Sequence, residues 1–196
     1  MHFKASRCSK DKVTGSKRSP DQVRAALEFL CDFVQTNSAV DPAQILIPSP
    51  YKAMIETITS MRKKPECMAI NKVRPASTID SIQGQEGDMV VVITGTTTQY
   101  GPGFTTDERR LNVILSRHKS ALVIFGDIHV VKSIDQVKVK ANPDEKEAAC
   151  PIVLPHTPEG DLHKCRPKML HKVHVMLVAA FRFTAINTKG LGWERR

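Results

Sequence analysis

No apolar run near the end of this 196-residue chain is long enough to cross a bilayer. Val175 to Phe181 falls far short of the roughly 20 residues that a helical span needs. Met1-His2-Phe3-Lys4 leads into a polar basic stretch with no apolar h-region, so no secretory signal is expected. Cysteines are few, odd in number and scattered (Cys8, Cys31, Cys67, Cys150, Cys165), a pattern that suits reduced thiols in cytoplasm or nucleus and not a disulfide framework. Internal repeats and low-complexity blocks are missing. So is a phosphate loop of the form G-x-x-x-x-G-K-S/T, whose backbone N–H groups would cradle phosphates. Thr14-Gly15-Ser16-Lys17 lacks the leading glycine and the preceding strand. The chain alone is therefore expected to bind neither ATP nor magnesium, and not to hydrolyse ATP.

What is present fits one folded domain. Apolar residues make up 41% and charged residues 25%, which excludes wholesale disorder and allows a sizeable core. The formal charge of +9 is carried by the ends. Residues 1–20 hold six Lys/Arg and one Asp, and residues 151–196 hold eight Lys/Arg and three Asp/Glu, whereas 21–150 hold 15 basic and 16 acidic residues. The basic balance thus describes tails, available for solubility or for phosphate contact, more than the body.

Three regions are expected: a flexible basic arm over 1–18, a domain over 19–135, and an irregular Pro-rich basic tail over 136–196. Ser19 is placed as an N-cap with Pro20 at the first helical position, and Val23, Ala26, Leu27, Leu30, Phe33 and Val34 carry an amphipathic helix to about Thr36. A short strand at 44–48 precedes a helix from near Pro50 that carries Met54, Ile55, Ile58 and Met61. Cys67–Ile70 and Val73–Thr78 read as short strands. Met89 to Thr94 is a β-branched run apolar on both faces, the mark of a strand covered by helices on both sides. After a Gly/Thr/Pro loop, a helix is expected from 107 to about 119, then a strand over Ala121–Phe125. This alternation argues for a parallel α/β sheet. A terminal helix or strand is expected over 172–185, with no place in the core assigned.

Several candidate chemistries are weak. Asp107-Glu108 follows a loop instead of ending an apolar strand, so helix N-terminal charge explains it better than magnesium binding. Cys150, His156, His163, Cys165, His171 and His174 match no zinc spacing, and no metal site is assigned. No Ser-His-Asp arrangement can be defended.

Two segments flanking the Met89–Thr94 strand stand out. Ser77-Thr78-Ile79-Asp80-Ser81-Ile82-Gln83-Gly84-Gln85-Glu86 precedes it, and Arg109-Arg110-Leu111-Asn112-Val113-Ile114-Leu115-Ser116-Arg117-His118-Lys119 follows it. In the first, a glycine lets backbone approach a ligand and a carboxylate can accept bonds from sugar hydroxyls, though alone it reads as a polar turn. In the second, a continuous helix would put Arg110 and Arg117 near one face, roughly 10 Å apart in rise; alone, they would solvate the helix or pair with Glu108 and neighbouring acids.

Together these segments resemble motifs V and VI of superfamily 1 helicases, in the branch of the nonsense-mediated-decay RNA helicases and their DNA-replication relatives. There the patterns are T-V/I-D-x-x-Q-G-x-E and a motif beginning R-R-L-N-V. Ile45-Leu46-Ile47-Pro48-Ser49-Pro50-Tyr51 is similar to the family's preceding strand, which ends in I-T-P-Y. The resemblance covers about 19–130 and implies the second RecA-like domain of such an enzyme, a parallel sheet flanked by helices of the P-loop NTPase type.

It also implies roles. Arg117 is the arginine finger and so the catalytic residue. Gly84, Glu86, Arg110 and Arg117 lie near nucleotide, and Ser49, Pro50, Tyr51 and Thr78 near single-stranded RNA or DNA. Tyr51 could equally close the core. The chain departs from the family at Ser49 (Thr there), Met54 (Gln) and His118 (Ala), and lacks the upstream Tyr-Arg motif. ATP and magnesium would be bound only in a complete two-domain enzyme, with a first RecA-like domain supplied in cis or in trans. The competing expectations are a non-catalytic single-strand-binding or scaffold module and a truncated product without an independent role.

Overall fold

The computed structural model describes residues 1–3, 6–131 and 167–186. Its strands are β1 (His2–Phe3), β2 (Ser9–Lys10), β3 (Lys17–Arg18), β4 (Ile45–Leu46), β5 (Pro48–Ser49), β6 (Ser77–Thr78), β7 (Gly87–Ile93), β8 (His118–Phe125) and β9 (Ala185–Ile186). The helices are α1 (Pro20–Thr36), α2 (Lys52–Arg62), α3 (Glu108–Leu115) and α4 (Lys168–Ala179). β5 pairs with β6, β4 with β7, β7 with β8 and β1 with β9, all parallel, and His2 bridges in parallel to Gly126 just past β8. Only Ile47 separates β4 from β5, so these pairings run across in the order β6, β4–β5, β7, β8, β1, β9.

β7 is the centre of the sheet, and its side chains alternate between two cores. Met89, Val91 and Ile93 join Val23, Leu27 and Leu30 of α1 and Met54 and Ile58 of α2. Val90 and Val92 join Leu111 and Ile114 of α3 and Leu170 of α4. Each fully buried aliphatic chain contributes roughly 1.5–3 kcal/mol, so neither helical layer is dispensable. Helices cover a parallel sheet on both faces, as the uniform apolar run of β7 predicts. No helix among the described residues is long and apolar enough to cross a membrane.

α1 spans the expected residues, with Ser19 at the N-cap and Pro20 following. The Ser19 hydroxyl, however, does not cap the helix; it donates to the Arg7 carbonyl at 2.8 Å. Asp21 in the first turn receives the Arg7 amide at 2.7 Å and its guanidinium at 2.9 Å. Burial works against the Asp21 carboxylate, yet the Arg7 bonds outweigh it and hold its pKa below the ordinary value.

That pairing corrects the expectation of a flexible arm over 1–18. Phe3 is buried in the first core, and β2 and β3 form an antiparallel hairpin around a turn in which Asp11 accepts the Val13 and Thr14 amides. Two further corrections are local. Cys67–Ile70 lies in a 3-10 segment, Pro65–Ile70, and not in a strand, because Pro65 starts a helical turn. α3 stops at Leu115, so Arg117 lies beyond it.

Of the expected tail, residues 132–166 and 187–196 lie outside the described residues, and with them Cys150, His156, His163 and Cys165. The described part is ordered against the body: Leu170 of α4 enters the second core. His171 and His174 are buried on the same helix, and His171 Nδ1 and Nε2 and His174 Nδ1 have no hydrogen-bond partner among the described residues. Burial, reinforced by His171, His2 and His129 nearby, lowers the His174 pKa to about 4. An unfolded histidine titrates near 6.5, so between those values the unfolded chain binds the extra proton. Stability is complete above about pH 6.5 and falls as pH drops toward 4, by on the order of 3 kcal/mol from this residue. The thermal midpoint is expected to be lower at about pH 5 than at about pH 7.5, and His174→Leu to flatten that dependence. An unchanged slope in the variant would reject this account.

Candidate functional site

The parallel sheet has two edges, and the singled-out residues divide between them. At the carboxyl edge, where β5, β6, β7 and β8 end, lie Ser49, Pro50, Tyr51, Thr78 and the loop 95–106. At the amino edge, where β7 and β8 begin, the Gly87 amide donates to the Arg117 carbonyl at 3.1 Å and Gly87 pairs with His118. Glu86 and Arg117 therefore flank the starts of neighbouring strands.

At the carboxyl edge, Ser49 is fully buried and its hydroxyl donates to the Ile93 carbonyl at 2.7 Å, bracing β5 against β7. The phosphate contact expected of it is withdrawn, because that hydroxyl is turned into the sheet. Pro50 is buried as well. Thr78 is half-buried, its hydroxyl 2.6 Å from that of Ser81.

Tyr51, at the N-cap of α2, closes the domain. Its hydroxyl accepts the Phe104 amide at 3.1 Å, and its ring meets that of Phe104 edge-on, centroids 6.2 Å apart. Burial pushes its pKa up to about 12. Lys17 places Nζ 5.5 Å from the centre of the Tyr51 ring and donates to the Tyr100 and Gly101 carbonyls at 2.9 Å each. Gly103, at φ +51°, has no room for a Cβ, which would strike the Tyr51 hydroxyl and come within 2.8 Å of Lys17 Nζ. The aliphatic stem of Lys17 is buried although its sequence neighbours are polar, and nothing in the pattern of the first 18 residues marks it.

Arg110 extends this assembly. Its guanidinium lies over the Phe104 ring at 3.9 Å, with Nε 3.7 Å from Asp80 and 3.8 Å from Asp107. Asp107 also caps α3, accepting the Arg109 and Arg110 amides at 2.9 and 3.3 Å. Arg110 thus fastens the start of α3 to the loop and to the turn after β6, toward the opposite edge from Arg117. The expectation that both arginines sit on one helical face is corrected: Ser116 ends the helix, and Arg117 turns back on it.

At the amino edge, Arg117 is half-buried. Its Nε donates to the Val113 carbonyl at 3.2 Å and its Nη2 to the Ser116 hydroxyl at 2.9 Å. No carboxylate among the described residues lies within ion-pair reach of it. Gly84, at φ +80°, has open space where a side chain would stand, and Glu86 is exposed. An arginine free of acidic partners, an open glycine turn and an exposed carboxylate make a surface suited to phosphate and sugar hydroxyls.

A parallel sheet with helices on both faces and these two edges is a RecA-like α/β domain. A family model described as an AAA domain matches residues 1–129, and the chain belongs to that family, in its superfamily 1 helicase branch. The match includes the first 18 residues. Similar proteins include the regulator of nonsense transcripts 1 of Dictyostelium discoideum, 36% identical over 93 residues, covering 46% of this chain and 7% of that protein. The probable helicase MAGATAMA 3 of Arabidopsis thaliana is 29% identical over 123 residues, covering 62% of this chain and 15% of that one. The DNA polymerase alpha-associated DNA helicase A of Saccharomyces cerevisiae is 26% identical over 121 residues, covering 61% and 17%. The chain thus spans a small part of each of these relatives.

Tyr51→Phe removes the acceptor of the Phe104 amide. It is expected to cost about 1–3 kcal/mol in urea unfolding and to speed hydrogen exchange at that amide, while Lys17→Met speeds exchange across 100–104. Exchange unchanged in both variants would show that the loop is held by other contacts.

Proposed function

We propose that this chain is the second RecA-like half of an ATP-dependent RNA or DNA helicase, acting with a first RecA-like domain that carries the phosphate loop and the magnesium-binding acids. The observation that carries the reading is the Gly87–Arg117 backbone bond, which brings the end of the motif V segment and the motif VI arginine to one edge. Gly84, Glu86 and Arg117 fit a nucleotide approached from this side. Glu86 accepts from sugar hydroxyls, Gly84 lets backbone come close, and Arg117 points its charge at the terminal phosphate. Nucleoside triphosphate with magnesium, when bound, supplies the phosphoryl group that is transferred to water. Arg117 stabilises the charge that spreads over that group, a contribution worth about 10³–10⁵ in rate.

The opposite edge serves a single strand. Thr78, at the end of β6, offers a hydroxyl to phosphate, and half-buried Tyr51 lies at the same edge. Arg110 positions α3 between the two edges and does not itself touch nucleotide.

The test replaces the matching segment of the Dictyostelium regulator of nonsense transcripts 1 with residues 1–129. The chimera is expected to hydrolyse ATP, and Arg117→Ala to lower turnover by about 10³-fold or more without changing its melting profile. Turnover indifferent to Arg117→Ala rejects the finger. In parallel, fluorescence anisotropy with single-stranded oligouridylate is expected to show binding by the intact chain that weakens about tenfold in Thr78→Asp and not in Arg117→Ala. Binding that persists in Thr78→Asp but disappears when 151–196 is removed would favour a tail-driven binding module.

A further inference from the structure

We propose that Cys31 and Cys67 form a reversible redox pair on the face of the sheet away from α3, a site independent of the helicase reading. The two residues come from different elements, α1 and the 3-10 segment 65–70, and both line one surface groove of about 270 Å³. Cys31 Sγ donates to the carbonyl oxygen of Glu66, the residue before Cys67, at 3.6 Å, which sets Cys31 beside the turn that carries Cys67. Cys31 is half-buried and Cys67 buried, so a small oxidant meets Cys31 first.

The walls of the groove are fixed. Arg62 of α2 donates to the Ile70, Val73 and Arg74 carbonyls at 2.9, 2.7 and 2.8 Å, holding the segment that carries Cys67. Its positive charge favours the thiolate forms of both cysteines, against burial and the nearby Glu28 and Glu66 carboxylates. Burial prevails and takes the Cys31 thiol up to about 11, so both sulfurs rest as thiols at neutral pH and react through a small thiolate fraction. Arg24 and Lys64 line the same groove beside Glu28, Asp32 and Glu66, with Lys64 Nζ 3.7 Å from Glu66, and oxidised glutathione serves as the disulfide oxidant.

The reaction balances as two exchanges. The Cys31 thiolate attacks one sulfur of oxidised glutathione, giving a mixed disulfide and one glutathione thiol. The Cys67 thiolate then attacks the Cys31 sulfur and releases the second. Two protein thiols are oxidised by two electrons, and one glutathione disulfide is reduced to two thiols. The product staples α1 to the segment that leads into β6 and closes a long loop spanning β4, β5 and α2, a constraint that acts mainly on the unfolded chain.

The test equilibrates the full chain bearing Cys8→Ser, Cys150→Ser and Cys165→Ser with glutathione buffers of graded oxidation, quenches by acid and maps the peptides by mass. The expected result is a Cys31–Cys67 cross-linked peptide, lighter by two hydrogens, that disappears with dithiothreitol, together with a thermal midpoint raised by about 5 °C in the oxidised form. In Cys67→Ala the reaction is expected to stop at a glutathione adduct on Cys31. Glutathione adducts without the cross-link when both cysteines are present, or no reaction at any buffer ratio, would overturn the proposal. In the unsubstituted chain, cross-links that engage Cys8, Cys150 or Cys165 in preference to the Cys31–Cys67 pair would overturn it as well.

Discussion

Burial of β7 on both faces is the constraint on which the rest of the domain depends. Met89, Val91 and Ile93 face one way and Val90 and Val92 the other, all within a few percent of complete burial. A strand so placed must be central, must be parallel to neighbours reached by crossovers, and needs a helical layer on each side. α1 and α2 supply one layer, α3 and α4 the other. The crossover from β7 through α3 to β8 then sends the chain from the carboxyl edge to the amino edge. That course carries Arg110 to the first and Arg117 to the second.

The carboxyl edge is held by contacts among loops. Lys17 clamps the 100–101 carbonyls, Tyr51 takes the Phe104 amide, and the Phe104 ring receives Arg110, which reaches Asp80 in the turn after β6. No one of these is large: an exposed ion pair is worth about 0–1 kcal/mol and a cation over a ring about 0.5–2. Their weight comes from order, since each link fixes the partner of the next. The carboxyl edge is thereby tied to the first turn of α3. The remaining turns of that helix run directly toward Arg117.

Much of the body was legible because its signals are periodic or chemically specific. The bounds of α1 follow from Ser19-Pro20 and the three and four residue spacing. The double-sided burial of β7 follows from its unbroken β-branched run, and the acidic start of α3 at Asp107-Glu108 from its place after a loop. The misses have physical causes. A two-residue strand such as β1 has no period to detect, and its single aromatic, Phe3, sits among basic and polar residues. α3 is short because β8 begins with His118, Lys119 and Ser120, whose polarity looks like a continued helix. A hydroxyl at a strand end, as at Ser49, can face ligand or sheet, and sequence does not distinguish them. The division of the two arginines between edges needed the position of the helix end, which cap geometry sets and spacing does not.

The central claim is that the two edges have separate duties: strand binding at the carboxyl edge and nucleotide sensing at the amino edge. Amide chemical shifts of the isotope-labelled chain, followed as single-stranded oligouridylate is added, address it most directly. The account predicts shifts at residues 51, 78–81 and 95–106, fading along α3, with 84–87 and 116–118 undisturbed. Shifts centred on 84–87 and 117, with 78–81 and 95–106 silent, would contradict it.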